Sequence, residues 1–309
     1  MPSIQDLELT YQGERMDSSP AMFGTLRASS DAAGDRGELW RRFRQDGYLF
    51  LPAYLDRRQV AAAGAEIMGR MAAVAERDLD FEEMGAHVRR DNPALDRVLH
   101  EGPMIAFYEL FLDGPVRYFD YTWFRYKGPE ANLATPPHYD GVFMNRGTKN
   151  LYTSWTPFCD IPIEKGGIIL LEGSHKLEEL IAGYGQTDVD LYCETEEANA
   201  LVEQARREGR KLRADERELI QWTSTGAYPG GAIETQRQHG GRWLTADYRM
   251  GDLLVFGMHM MHASHDNQTD ELRISTDSRY QLASEPVDER WVGDNPPAHS
   301  IRAKRGTIC

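Results

Sequence analysis

A chain of 309 residues with a formal charge of −14 at pH 7 lacks the basic footprint that phosphate binding needs, which excludes nucleic acid as its partner. Its 41% hydrophobic and 27% charged residues suit a globular protein, and no apolar run reaches membrane-span length, so no membrane partner is expected. Three widely spaced cysteines, Cys159, Cys193 and Cys309, argue for a reducing compartment, and without an apolar leader at the N-terminus the expected location is cytoplasmic.

Residues 1–36 are polar and rich in Gly, Ser and Asp, and read as a flexible arm before a single domain over 37–309. Glu38–Gln45 reads as a short helix, and Gly47–Pro52 as a strand. Asp56 then caps a helix with Val60, Ile67, Met71 and Val74 along one stripe. Pro103–Leu112 is a further helix, so 37–115 forms a helical N-terminal part. From Val116 the texture becomes that of strands: Val116–Tyr126, Asn150–Phe158, Gly167–Glu172, Arg242–Tyr248, Leu253–Met258 and Leu272–Leu282 are aromatic and β-branched, with Gly, Pro, Asn and Asp between them. Short strands in succession predict a mainly β core over 116–285, a sandwich or barrel. It is interrupted by a long insertion at 176–241 and followed by a tail at 286–309. The insertion holds a helix over Thr195–Glu208 and otherwise reads as loop. The basic run Arg206, Arg207, Arg210, Lys211, Arg213 and Arg217 reads as the solvated end of that helix.

Two segments carry chemistry. In Pro136-Pro137-His138-Tyr139-Asp140, extended backbone would send His138 and Asp140 to one face. Alone, this pair also reads as a surface histidine beside an aspartate. Downstream, the apolar strand after Gly251-Asp252 runs into Met258-His259-Met260-Met261-His262-Ala263-Ser264-His265, and the next strand begins at Arg273. Two histidines and one carboxylate on a β-scaffold suit iron(II), because they occupy one face of an octahedron and leave three positions open. An arginine on the following strand can clamp a carboxylate in bidentate fashion. His259, His262 and His265 are alternatives for the third ligand.

The chain resembles the phytanoyl-CoA dioxygenase family of iron(II)/2-oxoglutarate oxygenases from about Leu39 to Pro297. Asp46 to Pro52 is similar to the family's opening. His138-Tyr139-Asp140 is similar to its His-x-Asp, and Trp155 to Asp160 to its tryptophan strand. Gly166-Gly167 with Glu172-Gly173-Ser174-His175-Lys176 resembles its "NG…PGSHK" stretch, with Glu172 in place of the proline. Gly251-Asp252, His262-Ala263-Ser264, Asn267 and Arg273 resemble its last segment, and Arg273 follows His262 by eleven residues, the family's usual step. The resemblance implies a double-stranded β-helix, the jelly roll of cupin-like barrels, with helices outside. It implies that His138, Asp140 and His262 bind Fe(II), and that Arg273 holds the distal carboxylate of 2-oxoglutarate with Ser264, Ser275 and Trp155 nearby. O2 would be the oxidant, a C–H bond of a small organic molecule would be hydroxylated, and succinate and CO2 released. Because Asp140 is present rather than a small residue, hydroxylation, or desaturation or ring formation by the same oxidant, is favoured over halogenation.

Around that centre, Phe143, Met258 and Trp222 are candidates for a substrate pocket. Asp277 and Arg279 share strand parity with Arg273 and are expected either to pair with each other or to contact substrate. A cupin-like enzyme that does not use 2-oxoglutarate, and a metal-free binding module of the same fold, are the alternatives. Nothing in the sequence fixes an oligomeric state.

Overall fold

In the computed structural model, residues 3–77, 79, 81–193, 196–213, 215–216, 226–299 and 305–307 are described. Asp35 accepts from the Glu38 amide and so caps the first helix, Arg36–Asp46, which stops at Gly47 in the left-handed region (φ 79°). Asp56 caps Arg57–Ala72 by accepting from the Arg58 and Gln59 amides. The helices Phe81–Arg89, Pro93–Leu99 and Gly102–Leu112 follow.

These helices cover one face of a six-stranded sheet. Its order is Tyr48–Leu51, Leu253–Gly257, Tyr152–Pro157, Arg273–Leu282, Val116–Tyr118, with Trp123–Lys127 pairing the first half of Arg273–Leu282. Leu49, Leu51, Val255, Ile274 and Tyr280 point from the sheet into the helical layer, where they meet Val60, Ile67, Phe107, Tyr108 and Phe111. Strand alternation sends Tyr48, Phe50, Trp155, Leu254 and Phe256 the other way. There they pack on Ile168, Leu170 and Leu244 of a four-stranded sheet ordered His262–Ser264, Ile168–Leu171, Trp243–Thr245, Phe23–Thr25. The result is a layer of helices, a large sheet and a small sheet.

The expected mainly β jelly roll is therefore corrected to a mixed α/β fold. Helix makes up 36% and strand 20% of the described residues, and among them no sheet closes into a barrel. The physical reason lies where the two sheets approach. No strand of one sheet pairs with a strand of the other among the described residues, and outside the named strands there are only single bridges, Ala28 with Phe50, His138 with His262 and Ile161 with Tyr248. One bridge cannot propagate a ladder, so the edges stay open.

Residues expected to form a loose arm pack in the structure. Ile4, Leu9, Tyr11, Met16 and Phe23 are buried against the outer face of the small sheet, and Phe23–Thr25 is its edge strand. The insertion joins the same layer through Leu180, Val189 and Ala232. Part of it expected as loop is the helix Gly231–His239. The basic helix end is locally paired, with Arg206 on Glu203 and Arg210 and Arg213 both on Glu216. Arg217 and Trp222 lie outside the described residues.

Candidate metal centre

The two prolines do not deliver His138 and Asp140 from a regular strand. His138 forms a two-bond bridge to His262, its amide donating to the His262 carbonyl at 3.0 Å and the reverse at 3.1 Å. Asp140 opens the 3-10 turn Asp140–Val142. His262 begins the strand His262–Ser264, held by pairing with Leu170. The bridge and the turn, rather than strand alternation, bring the three side chains together.

All three are buried, and one ligand atom from each lies within 4.8 Å of the other two. Nε2 of His138 is 4.0 Å, and Nε2 of His262 3.8 Å, from Oδ1 of Asp140. Each ring is oriented through its other nitrogen. Nδ1 of His138 meets the Pro136 carbonyl at 2.8 Å, and Nδ1 of His262 meets the Met260 carbonyl at 2.9 Å. A carbonyl can only accept, so each Nδ1 carries the hydrogen and each Nε2 keeps its lone pair for a metal. Burial, reinforced by the neighbouring His262, pushes His138 down to about 3, and burial likewise lowers His262. Both are thus neutral ligands at pH 7.

Burial alone would raise the Asp140 carboxyl. Arg279, the two histidines and the Thr153 hydroxyl outweigh it and hold the group well below the usual carboxylate range. Arg279 Nη2 donates to Oδ1 at 3.0 Å, while the Thr153 hydroxyl donates to Oδ2. An anionic carboxylate beside two neutral imidazoles is the donor set that suits a ferrous ion with open positions.

A register of paired strands builds the wall behind this centre. Arg279 stands opposite Thr153, Asp277 opposite both Trp155 and Trp123, Ser275 opposite Arg125, and Arg273 opposite Lys127. The expected Asp277–Arg279 pair does not form: Asp277 accepts from Arg125 Nε at 2.8 Å, and Arg279 is committed to Asp140. Arg273 is buried with its guanidinium 5.4 Å from the Trp155 ring centroid, and its Nε has no partner. Burial depresses it to about 10, still cationic at neutral pH. The Ser275 hydroxyl is likewise buried without a partner. Such orphaned donors are what a carboxylate-bearing cosubstrate would satisfy.

A small pocket lined by Trp155, His262, Ser264, Arg273 and Asp277 adjoins a larger one of about 270 Å3 lined by Trp123, His138, Asp140, Phe143 and Arg279. Phe143 meets His138 edge-on, with ring centroids 5.4 Å apart. Met258 is instead packed with Trp123 and Trp291 in the core. Neither rival histidine joins the centre. His259 lies edge-on to Tyr139, and His265, the residue after Ser264, is fully buried.

Lys127, Thr153 and Arg125 were not picked out by sequence reasoning. Lys127 Nζ donates to the Ser264 hydroxyl at 2.7 Å, deep enough that burial and Arg273 drive its pKa well down. Its signal was parity: Trp123, Arg125 and Lys127 alternate on a strand that pairs with Arg273–Asp277.

The phytanoyl-CoA dioxygenase (PhyH) family matches residues 43–275. The chain belongs to that family. With the two-histidine, one-aspartate centre, membership makes the protein an iron(II)/2-oxoglutarate-dependent dioxygenase. It is similar to a 1-deoxypentalenic acid 11-beta-hydroxylase from Streptomyces exfoliatus, at 26% identity over 268 residues that cover 81% of this chain and 82% of that one. The corresponding Streptomyces arenae enzyme is 25% identical over 270 residues, with the same coverage. Two solved structures share the fold. EctD from S. alaskensis with 2-oxoglutarate and 5-hydroxyectoine has a TM-score of 0.57 at 14% identity, covering 94% of this chain and 93% of that one. The epimerase SnoN with Fe3+, alpha ketoglutarate and nogalamycin RO has a TM-score of 0.51 at 20% identity, covering 84% and 92%. No helix among the described residues is long and apolar enough to cross a membrane.

Proposed function

We propose that the protein hydroxylates a C–H bond of a small organic molecule in the cytoplasm. His138, Asp140 and His262 would hold the ferrous ion, and Arg273 would clamp the distal carboxylate of 2-oxoglutarate. The observation that carries this reading is the orientation of the two histidines: both Nδ1 atoms are spent on carbonyls and both Nε2 atoms converge on Asp140 Oδ1. Iron(II), when bound with 2-oxoglutarate, couples decarboxylation of that cosubstrate by O2 to oxidation of the substrate.

The chain's own contributions are positional and electrostatic. Thr153 and Arg279 fix Asp140 so that its carboxylate offers the metal one defined orientation. Ser264, itself held by Lys127 and by the Thr135 amide, and the unpartnered Ser275 hydroxyl stand with Arg273 for the cosubstrate. Trp155 walls the small pocket, and the larger pocket on the other side of His138 receives the substrate beside Phe143. Burial of the whole centre excludes water from the reacting groups. The relatives named as 1-deoxypentalenic acid 11-beta-hydroxylases support hydroxylation of an organic acid.

The test is succinate formation from 2-oxoglutarate with Fe(II), screened over a substrate panel. A substrate that lifts succinate above the uncoupled background in the native chain, and not in Asp140→Ala, supports the reading. Succinate formation that persists in Asp140→Ala removes it.

A further inference from the structure

We propose that Arg125 anchors an anionic group of the substrate, so that the larger pocket selects a compact apolar molecule carrying one carboxylate. The proposal rests on the oxygenase reading above and adds the substrate's charge to it.

Arg125 sits where the two pockets meet and lines both, together with Thr135 and His138. Its Nε is fixed by Asp277 at 2.8 Å, which orients the guanidinium. Neither Nη1 nor Nη2 makes a hydrogen bond among the described residues, and the side chain is 29% exposed although most of its surroundings are buried. Arg279 cannot play this part. It is 1% exposed, engaged by Asp140 through Nη2 and stacked 4.6 Å over Trp123, with Nε and Nη1 both buried, so it presents no exposed pair of donors. Of the two guanidiniums lining the larger pocket, Arg125 is therefore the one that offers a two-pronged face.

Charge balance points the same way. Three guanidiniums, Arg125, Arg273 and Arg279, line the combined cavity against two carboxylates, Asp140 and Asp277. A ferrous ion and a 2-oxoglutarate dianion carry equal and opposite charge, so loading both leaves one positive charge over. One carboxylate on the substrate neutralises it. Tyr121, Trp123, Pro136, Phe143 and Met144 form the rest of the wall, which suits an apolar body. At about 270 Å3 the pocket suits a compact skeleton rather than a long nucleotide-bearing thioester.

The experiment measures binding to the full chain loaded with Zn(II) and 2-oxoglutarate. The probes are cyclohexane-, decalin- and adamantane-carboxylic acids, each beside its methyl ester. The native chain is expected to bind at least one acid tenfold or more tighter than its ester. Arg125→Gln is expected to erase that preference while changing ester affinity less than twofold. Arg125→Lys keeps a cation for Asp277 without the fork, and is expected to recover part of it. No acid preference in the native chain, or a preference that survives in Arg125→Gln, overturns the proposal. Equal loss of acid and ester assigns Arg125 a structural role, and selective loss of 2-oxoglutarate binding assigns it to the cosubstrate; either also overturns it. Uncoupled succinate formation by the native iron-loaded chain tests the oxygenase reading separately.

Discussion

Thr153 and Arg279 grip the two oxygens of Asp140, and both are buried, so neither contact is diluted by water. Partners of this kind are worth about 10–100-fold in metal affinity. Thr153→Val should accordingly weaken ferrous ion binding by about that factor, measured by anaerobic titration, while leaving the fold intact by circular dichroism; unchanged affinity would show that the hydroxyl contributes nothing to the ligand. Arg273→Lys keeps the charge but loses the fork, so the KM for 2-oxoglutarate should rise at least tenfold in a succinate assay. The histidines make a pH prediction for the metal-free chain. Burial holds His138 and His265 neutral down to about 3, from an ordinary value of 6.5. Between those values the unfolded state binds more protons than the folded state, so stability falls as pH drops through 6.5. Each histidine then costs about 1.4 kcal/mol at one unit below 6.5. The denaturation midpoint should fall between pH 7 and 5.5, and His265→Gln should flatten the slope. At this scale the sequence was legible where residue type dictates chemistry: His138, Asp140 and Arg273 stood out as potential ligands and clamp. It was illegible where partners are distant in the chain, as with Arg125 and Asp277 or Arg279 and Asp140.

Elements explain which expectations survived. Asp56 and the apolar stripe of Val60 and Ile67 are local signals, and the helix they mark is present. The helices Phe81–Arg89 and Pro93–Leu99 were not picked out singly because, at nine and seven residues, each is too short to repeat an apolar period. His262–Ser264 is three residues long and exists by pairing with Ile168–Leu171, a long-range fact that no local pattern carries. Asp140 escaped the strand reading for the same reason, since its turn is fixed by the bridge between His138 and His262. One close approach tests the packing of helix on sheet. A Cβ at Gly64 would stand 2.4 Å from the Phe158 carbonyl oxygen, at the end of the tryptophan strand. Gly64→Ala should therefore cost about 1–3 kcal/mol, read as a lower denaturant midpoint. A midpoint equal to that of the native chain would mean that the helix does not press on the strand as described.

Across the whole molecule, the mainly β expectation failed because it weighed strands from Val116 onward and gave too little to the helices that cover the large sheet. An open pair of sheets still does what the site requires. Pairing of Ile168–Leu171 with His262–Ser264 sets one ligand, and the bridge to His138 carries the other two from a loop rich in proline. The register of Arg273–Leu282 against both Tyr152–Pro157 and Trp123–Lys127 sets the pocket wall. The central claim is that three buried side chains grip one ferrous ion, and anaerobic calorimetric titration of Fe(II) into the metal-free chain tests it most directly. One ion per native chain is expected, with affinity at least a hundredfold weaker in His262→Ala and nearly unchanged in His259→Ala. Undiminished binding in His262→Ala, or loss in His259→Ala instead, would contradict it.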